Sequence, residues 1–196
     1  MKIEPVILEG PFVRLEPLTR DHIPALFQAA NYPEIWEYMT SIVATPEDMV
    51  AYVSAALDQQ AQGVALPFVT VHTATNTVVG STRFGNIAPE HRRVEIGWTW
   101  ITPRFQRTAV NTEAKWLMLT HAFEVWNCIR VEFKTDVLNT RSRRAIERLG
   151  AKQEGILHHH MILPDGRYRD SVYYRILATE WEPIKARLQS TLNPNA

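Results

Sequence analysis

The segment Gln106-Arg107-Thr108-Ala109-Val110-Asn111-Thr112-Glu113-Ala114 has the make-up of a main-chain anion cradle. An alternating run over 93–101 feeds it, and a helical pattern leaves it and continues to about 126. A strand passing through a short polar loop into a helix start aims several backbone N–H groups, and the positive end of a helix dipole, at one point. That point suits a phosphate or pyrophosphate. The next strand-to-helix junction carries Asn139-Thr140-Arg141-Ser142, which offers an amide with both donor and acceptor atoms and a hydroxyl. Glu95 stands mid-strand, with Gly97 and Thr99 expected on its face and Val94, Ile96, Trp98 and Trp100 on the other. A carboxylate on a largely buried sheet is costly unless paired or hydrogen-bonded, so Glu95 reads either as a base or as half of a structural ion pair.

Other residues of chemical interest weigh less. His158-His159-His160 has the look of a metal tract, yet consecutive strand residues point to alternate faces, so at most His158 and His160 could share an ion. No Cys or acid at ligand spacing joins them, and no metal is expected. Cys128 is the sole cysteine, which excludes an internal disulfide and a multi-cysteine zinc site. It lies between an apolar helix end and the strand 130–137, the setting of a buried structural thiol. Arg141, Arg143, Arg144 and Arg148 make a basic helix whose plain reading is a solvated face. The sharper reading is contact with a phosphate, by Arg143 or Arg144. No Gly-x-x-x-x-Gly-Lys-Ser/Thr occurs, which argues against a nucleotide-hydrolysing P-loop.

These residues need a scaffold of strands and helices. With 196 residues and 45% hydrophobic content, one domain over 1–196 with a sizeable core is expected. Lys and Arg total 21, as do Asp and Glu, so no global field draws nucleic acid or an anionic membrane. No apolar run nears the ~18 residues of a membrane span and the first residues lack a signal core, so a soluble cytoplasmic protein is expected.

The run 12–18 alternates as a strand, and Asp21 is placed to cap a short helix to about 30. The stretch 31–44, with Tyr32, Trp36, Tyr38 and Met39, has no clean period and reads as loop or short helix. Thr45-Pro46-Glu47-Asp48 is a strong helix start, for a helix ending near Gly63 with Met49, Tyr52, Val53, Ala56 and Leu57 on one face. Strands follow at 66–72, 77–87 and 94–101. A helix from Thr112 is expected to bury Ala114, Leu117, Met118, Ala122 and Val125 on one stripe, with Trp116, Leu119, Phe123 and Trp126 on the other. Strand 130–137, helix 141–149 closed by Gly150, and a hairpin across Pro164-Asp165-Gly166 come next. Thr179 to Glu182 has the spacing of a capping box for a terminal helix. The order reads as one α/β domain with a mixed sheet.

The two junctions and this order resemble the GNAT superfamily of acetyl-CoA-dependent N-acetyltransferases, nearest the branch that acetylates the N-termini of ribosomal proteins. The resemblance spans most of the chain and is strongest over 93–151. It implies an α/β (α+β) fold of GNAT type, with a mixed, mostly antiparallel central sheet flanked by helices. It implies acetyl-CoA as cosubstrate: its pyrophosphate held at Gln106, Arg107, Thr108, Ala109, Val110, Asn111 and Thr112, its pantetheine arm at Asn139, its thioester near Ser142. Main chain at Trp100 and Ile101 is implied to face the thioester, and Arg143 or Arg144 a phosphate.

The usual loop pattern places glycine, or a small residue, where this chain has Ala109 and Asn111. Ala109 adds one methyl, which a loop at negative φ carries, while Asn111 tolerates left-handed geometry and makes a good N-cap. Many members place a tyrosine one helical turn after the serine as general acid. Ile146 stands there and cannot donate a proton, so that role falls to Ser142 or to water. An alkyl thiolate with a pKa near ~8.5 needs only modest help to leave.

The acceptor cleft is implied at Trp36, Tyr38, Met39, Glu95 and His160, and at the hairpin after His160, which includes Tyr168, Arg169 and Asp170. An α-amine, at ~7.7–8.0, is partly neutral at pH 7 and fits a site with one base better than a lysine at ~10.4. No activated nucleophile is evident, so direct transfer is expected. Two other readings stay open. One is a non-catalytic acyl-CoA-binding protein of this fold, which Ala109, Asn111 and Ile146 favour; the other is a phosphate-binding module for a different nucleotide. The acceptor and the oligomeric state, a homodimer included, are not written in the sequence.

Overall fold

Alternation and helical period resolve into eight strands and five α-helices over residues 1–193, which the computed structural model describes. The sheet runs β1 (Leu8–Glu9), β2 (Val13–Pro17), β3 (Leu66–His72), β4 (Thr77–Ala88), β5 (Arg93–Ile101), β6 (Arg130–Asp136), β8 (Tyr168–Leu177), β7 (Lys152–Ile162). Neighbours are antiparallel except β5 and β6. The mixed, mostly antiparallel sheet expected of the fold is present.

Helices α1 (Ile23–Ala30) and α2 (Pro46–Ala61) cover one face, where Leu26, Met49, Val53 and Ala56 meet Val69, Val71 and Trp100. Helices α3 (Ala109–Thr120), α4 (Thr140–Arg148) and α5 (Trp181–Leu192) cover the other, where Met118, Leu119, Ile146 and Leu188 meet Phe68, Phe84, Val94, Phe133 and Tyr174. Burying both faces of the sheet supplies the main driving force for the fold.

Local chemistry sets most boundaries. Thr45 caps α2 by accepting the Asp48 N–H at 3.2 Å, and the Asp48 carboxylate accepts the N–H of Thr45 at 2.9 Å. The Ala44 N–H, which donates to the same carboxylate at 3.0 Å, and the Thr45 N–H hold the Asp48 carboxyl below its ordinary range. Asp21 is not a cap: a 3-10 turn over Arg20–His22 precedes α1, with His22 Nδ1 closing back on Thr19. The stretch 31–44 holds only a 3-10 turn, Pro33–Ile35.

Thr179 does not open α5 either. Glu180 accepts the Leu177 N–H at 3.0 Å, so a 3-10 turn forms first and the helix starts at Trp181. Both apolar sides of α3 are covered, as two stripes require, since Leu119, Phe123 and Trp126 are core beside Ala114, Met118 and Ala122. On the first stripe, however, Leu117 is only half-buried and Val125 is exposed. The helix ends in a π turn, His121–Val125, closed by Trp126 N–H to His121 O at 3.0 Å. One extra residue per turn rotates the apolar phase.

Two features position the site. β5 pairs with β6 only at Arg93↔Arg130, Val94↔Val131 and Glu95↔Glu132, and beyond these the strands part. Trp98 adopts φ 49 at a break in the β4–β5 register, a β-bulge. The bulge inverts the alternation expected for β5. Glu95 and Gly97 do share a face, but Trp98 and Trp100 join that α2 side, where Trp98 lies over Gly85 and Arg83 and Trp100 reaches Tyr52. Thr99 turns to α3 instead, bonding Lys115 at 2.6 Å.

Candidate functional site

Each strand of the parting pair ends at a helix start. From β5 the chain passes a 3-10 turn (Pro103–Phe105), Gln106 and Arg107 to Thr108, which caps α3. The Thr108 hydroxyl donates to Phe105 O at 2.7 Å and accepts the Val110 N–H at 3.3 Å. The left-handed residue is Arg107, at φ 60. Ala109 and Asn111 are already helical, so neither position demands glycine, and Asn111 is not the N-cap. Its Oδ1 is buried without a partner. The first-turn N–H groups of Ala109 and Asn111 have no acceptor within the helix.

From β6 the chain passes to Asn139, whose Oδ1 caps α4 by accepting the Ser142 N–H at 2.9 Å. The Asn139 amide nitrogen and the Ser142 hydroxyl make no hydrogen bond among the described residues. A side-chain bridge ties the two junctions: Gln106 Nε2 donates to Ile101 O at 2.8 Å, and Arg141 donates to Gln106 Oε1 at 2.9 Å. Arg143 is engaged elsewhere, donating to Tyr174 Oη at 3.1 Å and Val137 O at 3.3 Å, while Arg144 is exposed. Ile146 packs into the core.

Glu95 lies where β5 and β6 separate and is 3% exposed. Asn86 Nδ2 donates to it at 2.8 Å, and Lys134 Nζ on β6 stands at 3.6 Å. Burial raises its carboxyl above the ordinary range, against the opposing pull of Lys134 and Asn86. Gly97 leaves it room, since a Cβ there would lie 3.2 Å from Glu95 Oε1. Arg169, from the hairpin expected at the acceptor cleft, shares this neighbourhood with Lys134 and Asp136, which were not singled out as candidates. The one available signal was alternation along β6, which puts 132, 134 and 136 on one face.

Trp36 and Met39 line a cavity of about 460 Å³ with Tyr32, Ile42, Leu163 and Pro164, so the loop and the hairpin do meet. Trp36 is mostly core, its Nε1 donating to Ala30 O at 3.0 Å and its ring 5.7 Å from Trp100. Tyr38 is half-buried near Asp136 and Arg167. His160 bonds Ser171 Oγ at 3.0 Å, His158 bonds Asp170 at 2.8 Å, and His159 takes φ 48. Tyr168 sits apart, exposed against His159. Cys128 is buried, which pushes its thiol up to about 11.

The fold that carries this opening is shared over nearly its whole length with solved structures described as acetyltransferases. Residues 13–152 match the Acetyltransferase (GNAT) domain, and the chain belongs to that family. It is 31% identical to a GCN5-related N-acetyltransferase from Brucella melitensis, with a TM-score of 0.92 over 99% of this chain and 88% of that one. The fold also matches Mycobacterium smegmatis RimJ in complex with CoA-disulfide, at TM-score 0.78 and 24% identity over 95% and 92% of the two chains. A Bacillus subtilis (strain 168) protein named "Putative ribosomal N-acetyltransferase YdaF" is 33% identical over 109 residues. That match covers 56% of this chain and 58% of YdaF.

Proposed function

We propose that the protein transfers the acetyl group of acetyl-CoA directly to a primary amine. The acceptor is the N-terminal α-amine of a ribosomal protein or other peptide, or a small-molecule amine. The observation that carries this reading is the opening between β5 and β6, flanked by two helix N-termini and floored by Glu95. Acetyl-CoA, when bound, supplies an acetyl thioester.

This chain's residues fit such a ligand. The first-turn amides of α3 suit a pyrophosphate, with Arg107 turning the chain back on itself. The Asn139 amide nitrogen is free to donate to a pantetheine carbonyl, and beyond Glu95 the main chain of β5 has no ladder partner on the β6 side. An unpaired N–H there, near Trp100 and Ile101, would steady negative charge on the acetyl oxygen. Glu95 takes the proton from the incoming amine, directly or through a water, and the Ser142 hydroxyl, or a water, gives one to the departing thiolate. No side chain forms a covalent bond with the acetyl group.

Free-thiol release from acetyl-CoA, measured with amines and N-terminal peptides, tests the reading. Acceptor-dependent release is expected; coenzyme binding without turnover on any acceptor would overturn it. Asn139 separates capping from binding. Asn139→Asp keeps an equivalent cap but loses the amide donor, so coenzyme affinity should fall about fivefold, roughly 1 kcal/mol, with the melting temperature nearly unchanged. Calorimetry showing unaltered affinity would leave Asn139 as a cap only.

A further inference from the structure

Resting on that transfer reading, we infer that the acceptor amine carries a carboxylate, and that Arg169 on β8 is the residue that receives it. The α2-side face of β6 and β8 bears a ladder of charged residues, with Lys134 and Asp136 in register with Tyr173 and Ser171, and Glu95 beside Glu132. Nearly every charge on it has a partner. Glu132 takes Arg93 at 3.1 Å and Arg130 at 2.7 Å. Glu95 takes Lys134, Asp136 takes Arg167 at 2.6 Å and the Leu138 N–H at 2.9 Å, and Arg175 takes Glu154 and Glu180.

Arg169 is left over. It is 5% exposed, its Nε has no hydrogen-bond partner, and no carboxylate pairs with it among the described residues. Its nearest charges include Asp136 and Glu95, both already committed. A buried guanidinium with no directly bonded partner is costly, and the other buried arginine, which also lacks a paired carboxylate, is compensated by direct contacts. Arg83 also has an unpaired Nε, but its guanidinium sits between the Tyr52 and Trp98 rings at 5.5 and 5.1 Å and bonds Gln59 at 3.0 Å.

The planar fork of Arg169 matches a carboxylate in two-point geometry. Its place near Glu95 puts that carboxylate close to the amine to be deprotonated. The carboxylate belongs either to a free amino acid or to an acidic side chain at the first or second residue of a peptide.

Matched acceptor pairs decide the matter by calorimetry with CoA present: an amino acid against its carboxamide, and a peptide amide starting Ser-Glu against one starting Ser-Gln. The wild type should bind the carboxylate-bearing member of at least one pair at least tenfold more tightly, and which pair shows it names the source. Arg169→Met should abolish the preference without lowering the melting temperature, and Arg169→Lys should keep part of it. Equal affinity within both pairs, binding of no member, or an equal loss for both members in Arg169→Met would overturn the inference. Should Arg169→Met not fold, the wild-type pairs and Arg169→Lys still decide. Thiol release recorded in parallel keeps the two ideas distinct. Turnover without the preference sinks only this assignment, whereas the preference without turnover sinks only the transferase reading.

Discussion

Replacing Lys115 with methionine is expected to stabilise the protein at pH 7. Lys115 is 5% exposed, and its Nζ donates to Thr82 Oγ1 at 2.9 Å and Thr99 Oγ1 at 2.6 Å, with no carboxylate paired to it among the described residues. Burial drives its pKa down to about 7. The unfolded chain holds that proton up to ~10.4. Between these values the unfolded state binds more protons, so stability climbs as pH rises from about 7 to about 10. The penalty is complete below about 7 and amounts to at most about 5 kcal/mol.

Methionine fills similar volume without the charge. Thr82 and Thr99 keep their mutual hydrogen bond of 2.8 Å, so no hydroxyl is stranded. A gain of roughly 1–4 kcal/mol at pH 7 should appear in urea unfolding, on the scale known for replacing buried ions by apolar groups. The rise towards pH 10 should flatten. A variant less stable than wild type at pH 7 would mean that the ammonium holds the β5 bulge more strongly than burial penalises it.

Glu95→Gln is expected to lower kcat/KM by about 100-fold while leaving coenzyme affinity within about twofold, the scale of a lost general base. The pH profile is the sharper readout. Burial raises the Glu95 carboxyl, so the ionised, proton-accepting form is lost as pH falls through that raised value. Wild-type activity should therefore decline on the acid side sooner than an ordinary carboxylate would allow, and the glutamine variant should lack that limb. If Glu95 serves only as the partner of Lys134, the substitution shifts the melting temperature and leaves the profile of the remaining activity unchanged.

The starts of α2 and α4 were readable because their determinants are local. Thr45 with Asp48, and Asn139 with Ser142, close within one helical turn, so residue types at fixed spacing announce them, whereas the cap of α3 fell to Thr108 rather than Asn111. The element order followed from alternation and period in the same way. The β5 bulge was not readable, since it depends on the Trp98 ring settling over Gly85, where a Cβ would come within 2.3 Å of the ring.

Buried charges escaped for a similar reason. Glu113 is 2% exposed because its carboxylate accepts the N–H groups of Phe12 and Val13, both at 2.7 Å, and Lys115 because it meets two threonines on separate strands. On a helix such residues read as a solvated stripe, and only long-range partners say otherwise. Asp136 is of the same kind. Trp36 and Met39 both line the cavity beside Leu163 and Pro164, while Trp36 is also core, and the aromatic pattern could not separate lining from core.

β7 forms the outer border of the sheet, and an eleven-residue strand that is mostly solvent-exposed, with Ile156, Leu157 and Ile162 among its exposed residues, would make a ready template for stacking further copies. The left-handed kink at His159 breaks the register between Leu157 and Met161, so the border offers two short pieces in place of one long one. Such a break works against edge-to-edge growth at a rim whose apolar side chains would otherwise invite it.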